Sequence, residues 1–516
     1  MLELHKRGLN GLWARILKNN FAPLTVGQFD YIVGNPPWIN WEHLPDNYRD
    51  SIRKLWEQYK LPPQYGGARL GAVKGDFSAL MTLVVTDKLL KPNGKLGFVI
   101  TQSLFKTAAG AGFRRFTLPG GTPLKVLLVE DMVDLNPFEG ASNRTAVLVL
   151  LKGQPTRYPV SYTLWRKKRG ARFTYTSTLD EVKNATKYHQ WFAEPAQPNA
   201  PTSQWLTAPP NALKAIRKAM GNADYEAHEG ANTGGANAVY WLEKQMERPD
   251  GLWLMRNLTE GAKRKVKEVV NPLEPELLYP LLRGRDVQRW HAQPSAWILV
   301  PRLPTHPSQV IDLKTMQVKY PKTYAYLKQF EDVLRTRRDA MTQSALRRDE
   351  PFYFYGAVND YTFAPWKVVW REVAELPDAA VIGSIHSKPV VPAHTIVLID
   401  CDIEEEAHYI CALINSTPAQ FTVRSYIVLH PDPHILEHIR IPRYDPANAL
   451  HRRLAELSWE AHKRAQSRQS TQSIETKIDQ LAAQLWGLTQ DELKAVQQAL
   501  QILSGDSEAN HDQSDD

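Results

Sequence analysis

Short apolar runs punctuated by glycine and proline dominate the N-terminal part of the chain, and helical spacing dominates its C-terminal end. Phe29 to Val33 is an aromatic and β-branched run that reads as a buried strand. Gly34 ends it, and Pro36 and Pro37 cannot donate to a ladder, so a rigid loop follows the strand. Before it, residues 1–28 hold a short helical pattern through Leu9, Leu12 and Ile16 and a loop through Pro23. After it, Ile39 to Gly75 is a long polar connection with a helical piece around Tyr48–Tyr59, either a lid beside the loop or a surface insertion. Asp76 is a good N-cap for a helix whose apolar face carries Phe77, Leu80, Met81 and Val84. Pro92-Asn93-Gly94 stops that helix and turns the chain into a second strand, Lys95 to Ile100. Phe113 to Phe116 falls on the next helical stretch, and Leu124–Val129 and Thr145–Leu150 are two further strands. At the far end, Leu450, Leu454, Leu457 and Ala461 form one helical stripe that Ile474, Ile478, Leu481 and Leu485 continue. Gly487 suits a helix stop, and Thr489-Gln490-Asp491-Glu492 is a capping box for a last short helix.

The 516 residues allow two to four domains. With 63 basic against 55 acidic residues, the formal net charge is +8, a modest excess that suits a polyanionic partner. The two cysteines, Cys401 and Cys411, exclude a disulfide framework and a thiolate zinc site, and no metal is expected. No apolar run reaches membrane length and the start lacks a signal core, so no membrane partner and a cytoplasmic location are expected. Fifteen tryptophans and 20 tyrosines offer many stacking surfaces.

The loop after the first strand carries the chemistry. Asn35 brings a side-chain carbonyl, Pro36 a backbone carbonyl without a competing N–H, and Trp38 a flat aromatic face. Two acceptors beside an aromatic plate suit a planar base with an exocyclic amine, drawn out of its stack. Asn35-Pro36-Pro37-Trp38 resembles the catalytic loop of N6-adenine DNA methyltransferases, in particular the type IIG restriction–modification class with a C-terminal target recognition domain. The resemblance implies a cofactor, S-adenosyl-L-methionine, that also touches Asn35. It implies catalytic roles for Asn35, Pro36, Pro37 and Trp38, and for Phe138, which matches the aromatic residue on the base's other face. Asn35 and the Pro36 carbonyl would accept hydrogen bonds from the amine, favouring a nitrogen whose lone pair points at the methyl group.

The Gly-rich cofactor loop that such an enzyme carries upstream of its catalytic loop is absent from residues 1–34. The downstream cluster Gly230-Ala231-Asn232-Thr233-Gly234-Gly235-Ala236-Asn237 is followed by Ala238–Trp241, which reads as strand, so it lacks the strand–glycine–helix order of a cofactor loop. It resembles instead the segment that opens the family's target recognition region. A separate polypeptide carrying the cofactor-binding half is therefore expected as a partner, with double-stranded DNA as the other.

From Trp165 the character changes to a Pro-, Trp- and Arg-rich region that suits recognition loops. DNA contacts are expected from the basic run Arg166, Lys167, Lys168 and Arg169. They are also expected from Arg283, Arg285 and Arg289 in Leu281–Trp290, and from Lys388 in Ile385–Pro389; these two segments and Tyr409–Ser416 and His434–Pro442 resemble recognition-domain segments of type IIG-like enzymes. The fold class expected is α/β: a partial Rossmann-like methyltransferase domain over residues 1–165, a mixed α+β target recognition domain over 166–445, C-terminal helices over 446–504, and a disordered acidic tail over 505–516. A catalytically inactive DNA-recognition remnant is the alternative function, and a protein or RNA amine methyltransferase is a third, disfavoured by the large recognition-like region.

Overall fold

The computed structural model describes residues 26–61, 75–136, 138, 144–174, 176–426 and 433–504, with residues 6, 7, 15, 16 and 18 besides. The helical pattern expected before residue 26, part of the 39–75 connection, both flanks of Phe138 and the acidic tail lie outside the described residues. The chain divides into two units, one running to Leu213 and the other starting at Lys214.

The first unit is built on one seven-stranded sheet in the order β1-β2-β4-β3-β5-β6-β7. Its strands are β1 (Phe29–Gly34), β2 (Leu90–Thr101), β3 (Leu124–Asp131), β4 (Thr145–Lys152), β5 (Val160–Lys167), β6 (Thr186–Pro195) and β7 (Trp205–Ala208). β1 and β2 are parallel; β4 is antiparallel to both β2 and β3, so β1, β2 and β3 point the same way. Helix α1 (Asp46–Gln58) precedes helix α2 (Phe77–Leu89), which makes the crossover into β2. Alternating residues Leu96, Phe98 and Ile100 of β2 and Ala146, Leu148 and Leu150 of β4 bury against Leu80 and Leu83 of α2 in one core. The expected turn at Pro92–Gly94 is a bulge at the start of β2, with Asn93 in the left-handed region at φ +62°.

Two expectations are corrected here. β1 is not buried: Tyr31 is 72% and Val33 84% exposed, because the strand pairs on one side only and stands at the sheet edge. Nor does the domain end at residue 165. β5 pairs with β3 on one side and β6 on the other, so a boundary there would cut a strand in two, and the sheet continues to Ala208.

The second unit holds a six-stranded sheet, β11-β10-β9-β15-β12-β18, and a four-stranded sheet, β17-β16-β19-β8. The first comprises β9 (Trp241–Glu247), β10 (Trp253–Asn257), β11 (Val270–Leu273), β12 (Leu278–Leu282), β15 (Ala296–Leu299) and β18 (Val391–Pro392). The second comprises β8 (His228–Glu229), β16 (Trp366–Arg371), β17 (Ala380–Gly383) and β19 (Ile396–Cys401); a small pair, β13 (Val287–Gln288) and β14 (His291–Ala292), completes the strands. The helices α3 (Glu404–Asn415), α4 (Ala449–Gln466), α5 (Gln472–Trp486) and α6 (Gln490–Ser504) belong to this unit. Leu454, Leu457, Ala461, Ile474 and Ile478 share one core with Ile410 and Leu413 of α3 and Val368 of β16, so the C-terminal helices are not a separate domain. Gly487 ends α5 at φ +66°, and Thr489 and Glu492 exchange the two hydrogen bonds of the expected capping box. Ala238–Trp241, read as strand, is instead a helical turn (Asn237–Tyr240) that gives way to β9 only at Trp241, and the two-residue β8 precedes the glycines, so the order is corrected on both sides. The glycine turn is nonetheless packing: Arg337, fully buried, donates to the Thr233 carbonyl, and a Cβ on Gly234 would strike the Asp339 carboxylate.

Candidate active site

The loop Asn35–Trp38 leaves β1 at the edge where the parallel strands end. Gly34 pairs with Phe98, and a Cβ there would stand 3.0 Å from the Phe98 ring, so the close approach of β1 to β2 calls for glycine. Past Gly34 the ladder stops because Pro36 and Pro37 have no N–H to give. The Val99 carbonyl just beyond that point accepts from the Trp38 indole Nε1–H instead, at 3.1 Å. Trp38 is thereby fixed against β2 by the bond that the prolines cannot make. Asn35 is exposed, Pro36 buried, and neither the Asn35 amide nor the Pro36 carbonyl has a hydrogen-bond partner among the described residues.

Phe138, half-buried, follows the carboxyl end of β3 and returns to the same edge. Its ring centroid lies 4.9 Å from that of Trp38 with the planes at 75°, an edge-to-face contact. The two aromatic residues are thus neighbours, touching each other rather than standing apart as parallel plates.

Behind the loop lies a buried polar network that the sequence reading passed over. Asp76, read only as an N-cap, accepts from the Ser78 amide at 2.8 Å and from the Thr101 hydroxyl at the end of β2. Its backbone forms a bridge to Asn40, flanked by Trp41 N–H to the Gly75 carbonyl at 2.7 Å and Phe77 N–H to the Ile39 carbonyl at 2.9 Å. Asp76 therefore joins three elements: its carboxylate links the start of α2 to the end of β2, and its backbone bridges the loop's exit at Asn40. Next to it, Gln102 donates to Asp131 at 2.7 Å and the Tyr162 hydroxyl donates to the same carboxylate. Burial, and then the Asp131 charge, push the Tyr162 pKa well up, so that proton stays on the phenol. Gln102 Oε1, Thr145 Oγ1 and Ser78 Oγ are buried without a partner. The hint in the sequence was a capping aspartate that enters a helix straight from a loop; its second partner, Thr101, is a tertiary fact.

The residues expected to meet DNA divide sharply. Arg289 is committed inside the second unit: it donates to both Glu475 oxygens at 3.1 and 3.3 Å, to the Asn415 carbonyl at 2.7 Å and to Asp378 at 3.4 Å. Burial alone would lower its pKa, but Glu475 and Asp378 more than reverse that. Arg283 clamps its own turn through Asp286 and Ser295. Lys388 donates to the Pro275 carbonyl and lies over the rings of Tyr279 and Trp253, at 5.1 and 5.6 Å. Arg166 pairs with Asp134 at 3.7 Å, Lys167 lies over Phe173 at 5.0 Å, and Lys168 donates to the Asn184 carbonyl at 2.7 Å. Arg169 and Arg285 remain exposed. Among the described residues no group of three or more His, Cys, Asp or Glu could hold a metal ion, and no helix is long and apolar enough to cross a membrane.

Comparison with known proteins finds similarity to restriction–modification proteins. Residues 10–127 match the sequence profile of the Eco57I restriction-modification methylase family. The Type II methyltransferase M.NspV of Nostoc sp. is 30% identical over 156 residues, 30% of this chain and 30% of that protein. The Type II methyltransferase M.HincII of Haemophilus influenzae is 23% identical over 129 residues, 25% of this chain and 23% of the relative. The matched stretch thus spans under a third of the length of these curated relatives. In fold, the chain is similar to the Type IIL restriction-modification enzyme MmeI, whose structure is in complex with DNA, with a TM-score of 0.51 at 10% identity over 93% of this chain and 57% of that one.

Proposed function

We propose that this chain is the catalytic-loop and target-recognition part of a restriction–modification DNA methyltransferase that methylates adenine N6 in double-stranded DNA, in the cytoplasm. The observation that carries the reading is the free Asn35 amide and Pro36 carbonyl beside the Trp38–Phe138 ring pair, at the carboxyl edge of parallel strands. The family match over the same stretch supports it.

The amine of a flipped adenine would donate its two protons to Asn35 Oδ1 and the Pro36 carbonyl. Both acceptors are held in advance: the prolines stiffen the backbone, β1 holds the loop's entry, and the Trp38–Val99 bond and the Asn40–Asp76 bridge hold its exit. Accepting hydrogen bonds from both N–H groups, which stay on the nitrogen, favours a pyramidal nitrogen with its lone pair free. The base would stack on Trp38, with Phe138 moving from its edge contact to the base's other face; such stacking contributes about 1–3 kcal/mol per base.

S-adenosylmethionine, when bound, supplies the electrophilic methyl group. The described residues give it the open side of Asn35 and the bare edge of β1, and do not by themselves build its pocket. In our reading the cofactor is held by residues brought to that edge from outside the described stretch, by a strand that pairs with β1. Tyr31 and Val33 are apolar, exposed and on one face, which suits them to be covered.

The test is long-read sequencing for methylated adenine in DNA from cells expressing the chain, alone and together with candidate polypeptides that carry an S-adenosylmethionine-binding half. Asn35→Ala should abolish methylation while duplex affinity stays within about twofold. Methylation retained in that variant removes Asn35 from the chemistry, and duplex binding without methylation under any pairing establishes the inactive remnant instead.

A further inference from the structure

Several cations of the second unit are paired with acids within it. Arg248 pairs with Asp250 at 2.9 Å, Arg256 with Glu243 and Glu268, Lys244 with Glu247, and Lys328 and Arg335 both with Glu331. The segment between β10 and β11 groups three lysines that are not. Lys263, Lys265 and Lys267 are exposed, and none of them has an acidic partner among the described residues.

Their neighbours face inward. Ala262, Arg264 and Val266 are partly buried; Val266 packs on the core that includes Leu242 and Met255. Arg264 donates to the Thr336 carbonyl at 3.1 Å and its hydroxyl at 3.4 Å. Exposure alternates along the stretch: past a bend at Lys263–Arg264, Lys265 and Lys267 are two residues apart, which in extended chain is about 6–7 Å on one side. That spacing is on the order of two phosphate rises of about 3.4 Å along one strand of a duplex. Beside it lies the Gly234–Gly235 turn, where both residues have positive φ. A Cβ on Gly235 would meet only the Arg264 side chain, at 3.9 Å, so this backbone is open to close approach. Glu268, next to Lys267, is engaged with Arg256 at 3.8 Å instead.

We propose that Lys263, Lys265 and Lys267 form the strip by which the second unit tracks the sugar-phosphate backbone of DNA, with Arg264 pinning the strip to the fold. The proposal rests on the DNA reading above and names the surface that carries it. It also assigns Arg283, Arg289 and Lys388 to the fold, so the phosphate contacts come from a segment with no motif resemblance. Such contacts set register and orientation, leaving sequence to be read elsewhere.

The experiment is equilibrium binding of the full chain to a fluorescein-labelled random-sequence duplex over a range of salt. Each phosphate contact contributes about 0.9 to the slope of log K against log salt. Replacing the three lysines with alanine should therefore reduce that slope by about 2–3. A control replacing Lys314, Lys319 and Lys477, which are exposed and change the charge equally, should move it by less than about 0.5. An unchanged slope in the first variant, with binding otherwise intact, overturns the assignment and leaves the DNA reading standing. Equal losses in both variants also overturn it, by reducing the effect to net charge. Failure of the unaltered chain to bind any duplex overturns both readings. Lysine-dependent binding to phosphatidylserine vesicles without such dependence on duplex overturns it in favour of a membrane surface.

Discussion

Arg289 offers the sharpest division between a residue that holds the fold and one that meets DNA. Replacing it with methionine keeps the apolar stem and removes the guanidinium. Glu475 would then retain only the Trp290 indole at 2.7 Å and the Thr471 hydroxyl at 2.9 Å, and the Asn415 carbonyl would lose a 2.7 Å donor. Removing one partner of a buried pair costs about 3–5 kcal/mol, because the other charge stays behind. The Arg289 side chain is 26% and Glu475 19% accessible, so solvent relieves part of this and the lower end, about 3 kcal/mol, applies. In a unit of this size that is a fall in Tm on the order of 10 °C. The assay is thermal unfolding of the full chain followed by tryptophan fluorescence, with duplex affinity measured in parallel. Adding Glu475→Gln to Arg289→Met should recover part of the loss, since the stranded carboxylate is gone. An Arg289→Met protein that melts within about 1 °C of the unaltered chain but binds duplex much more weakly would refute the reasoning and return Arg289 to the DNA surface.

Two further outcomes follow from other buried groups. His462 donates Nδ1–H to the Ser458 carbonyl at 2.7 Å and accepts the Val381 amide at Nε2 at 2.8 Å, so the neutral ring is the one that fits; burial pushes its pKa down to about 4 and that of its neighbour His408 down to about 3. With folded values below the unfolded one, their contribution is whole above pH 6.5 and falls as pH drops toward 4: about 2 kcal/mol should be lost at pH 5 through His462 alone, and His462→Gln should flatten the dependence of Tm on pH between 7.5 and 5. At the loop, Asp76→Ala removes a helix cap and strands the Thr101 hydroxyl, costing about 2–4 kcal/mol in urea unfolding, whereas Asp76→Asn keeps the cap and should recover about 1 kcal/mol. Equal stability of the two variants would show that the carboxylate does not tie the loop to β2.

What could be read in advance was local. Asp76 as a cap, Gly487 as a stop and the Thr489–Glu492 capping box depend on residues three or four apart, and each stands where expected. Strand spans were legible for the same reason, but the number of a strand's neighbours was not. Phe29–Val33 has the composition of a central strand, yet it stands at an edge, because composition does not reveal which side of a strand is paired. Asn237–Tyr240 was misread because four residues are too few for either period to show.

Charge is the extreme case of this limit. Arg289 sits in a segment that resembles a recognition motif, but its carboxylate, Glu475, is 186 residues away. Lys263, Lys265 and Lys267 sit in no motif, and the acids nearest in sequence look sufficient to balance them until the fold turns Glu268 toward Arg256. A basic residue in a sequence states only a capacity to bind an anion, and folding decides whether the protein itself supplies that anion. A modest net charge of +8 is therefore compatible with a strongly polarised surface, provided the paired cations are subtracted first. Choosing basic residues by motif selected several that the protein engages internally, whereas the strip between β10 and β11 brings three exposed lysines without an ion pair close together in the chain.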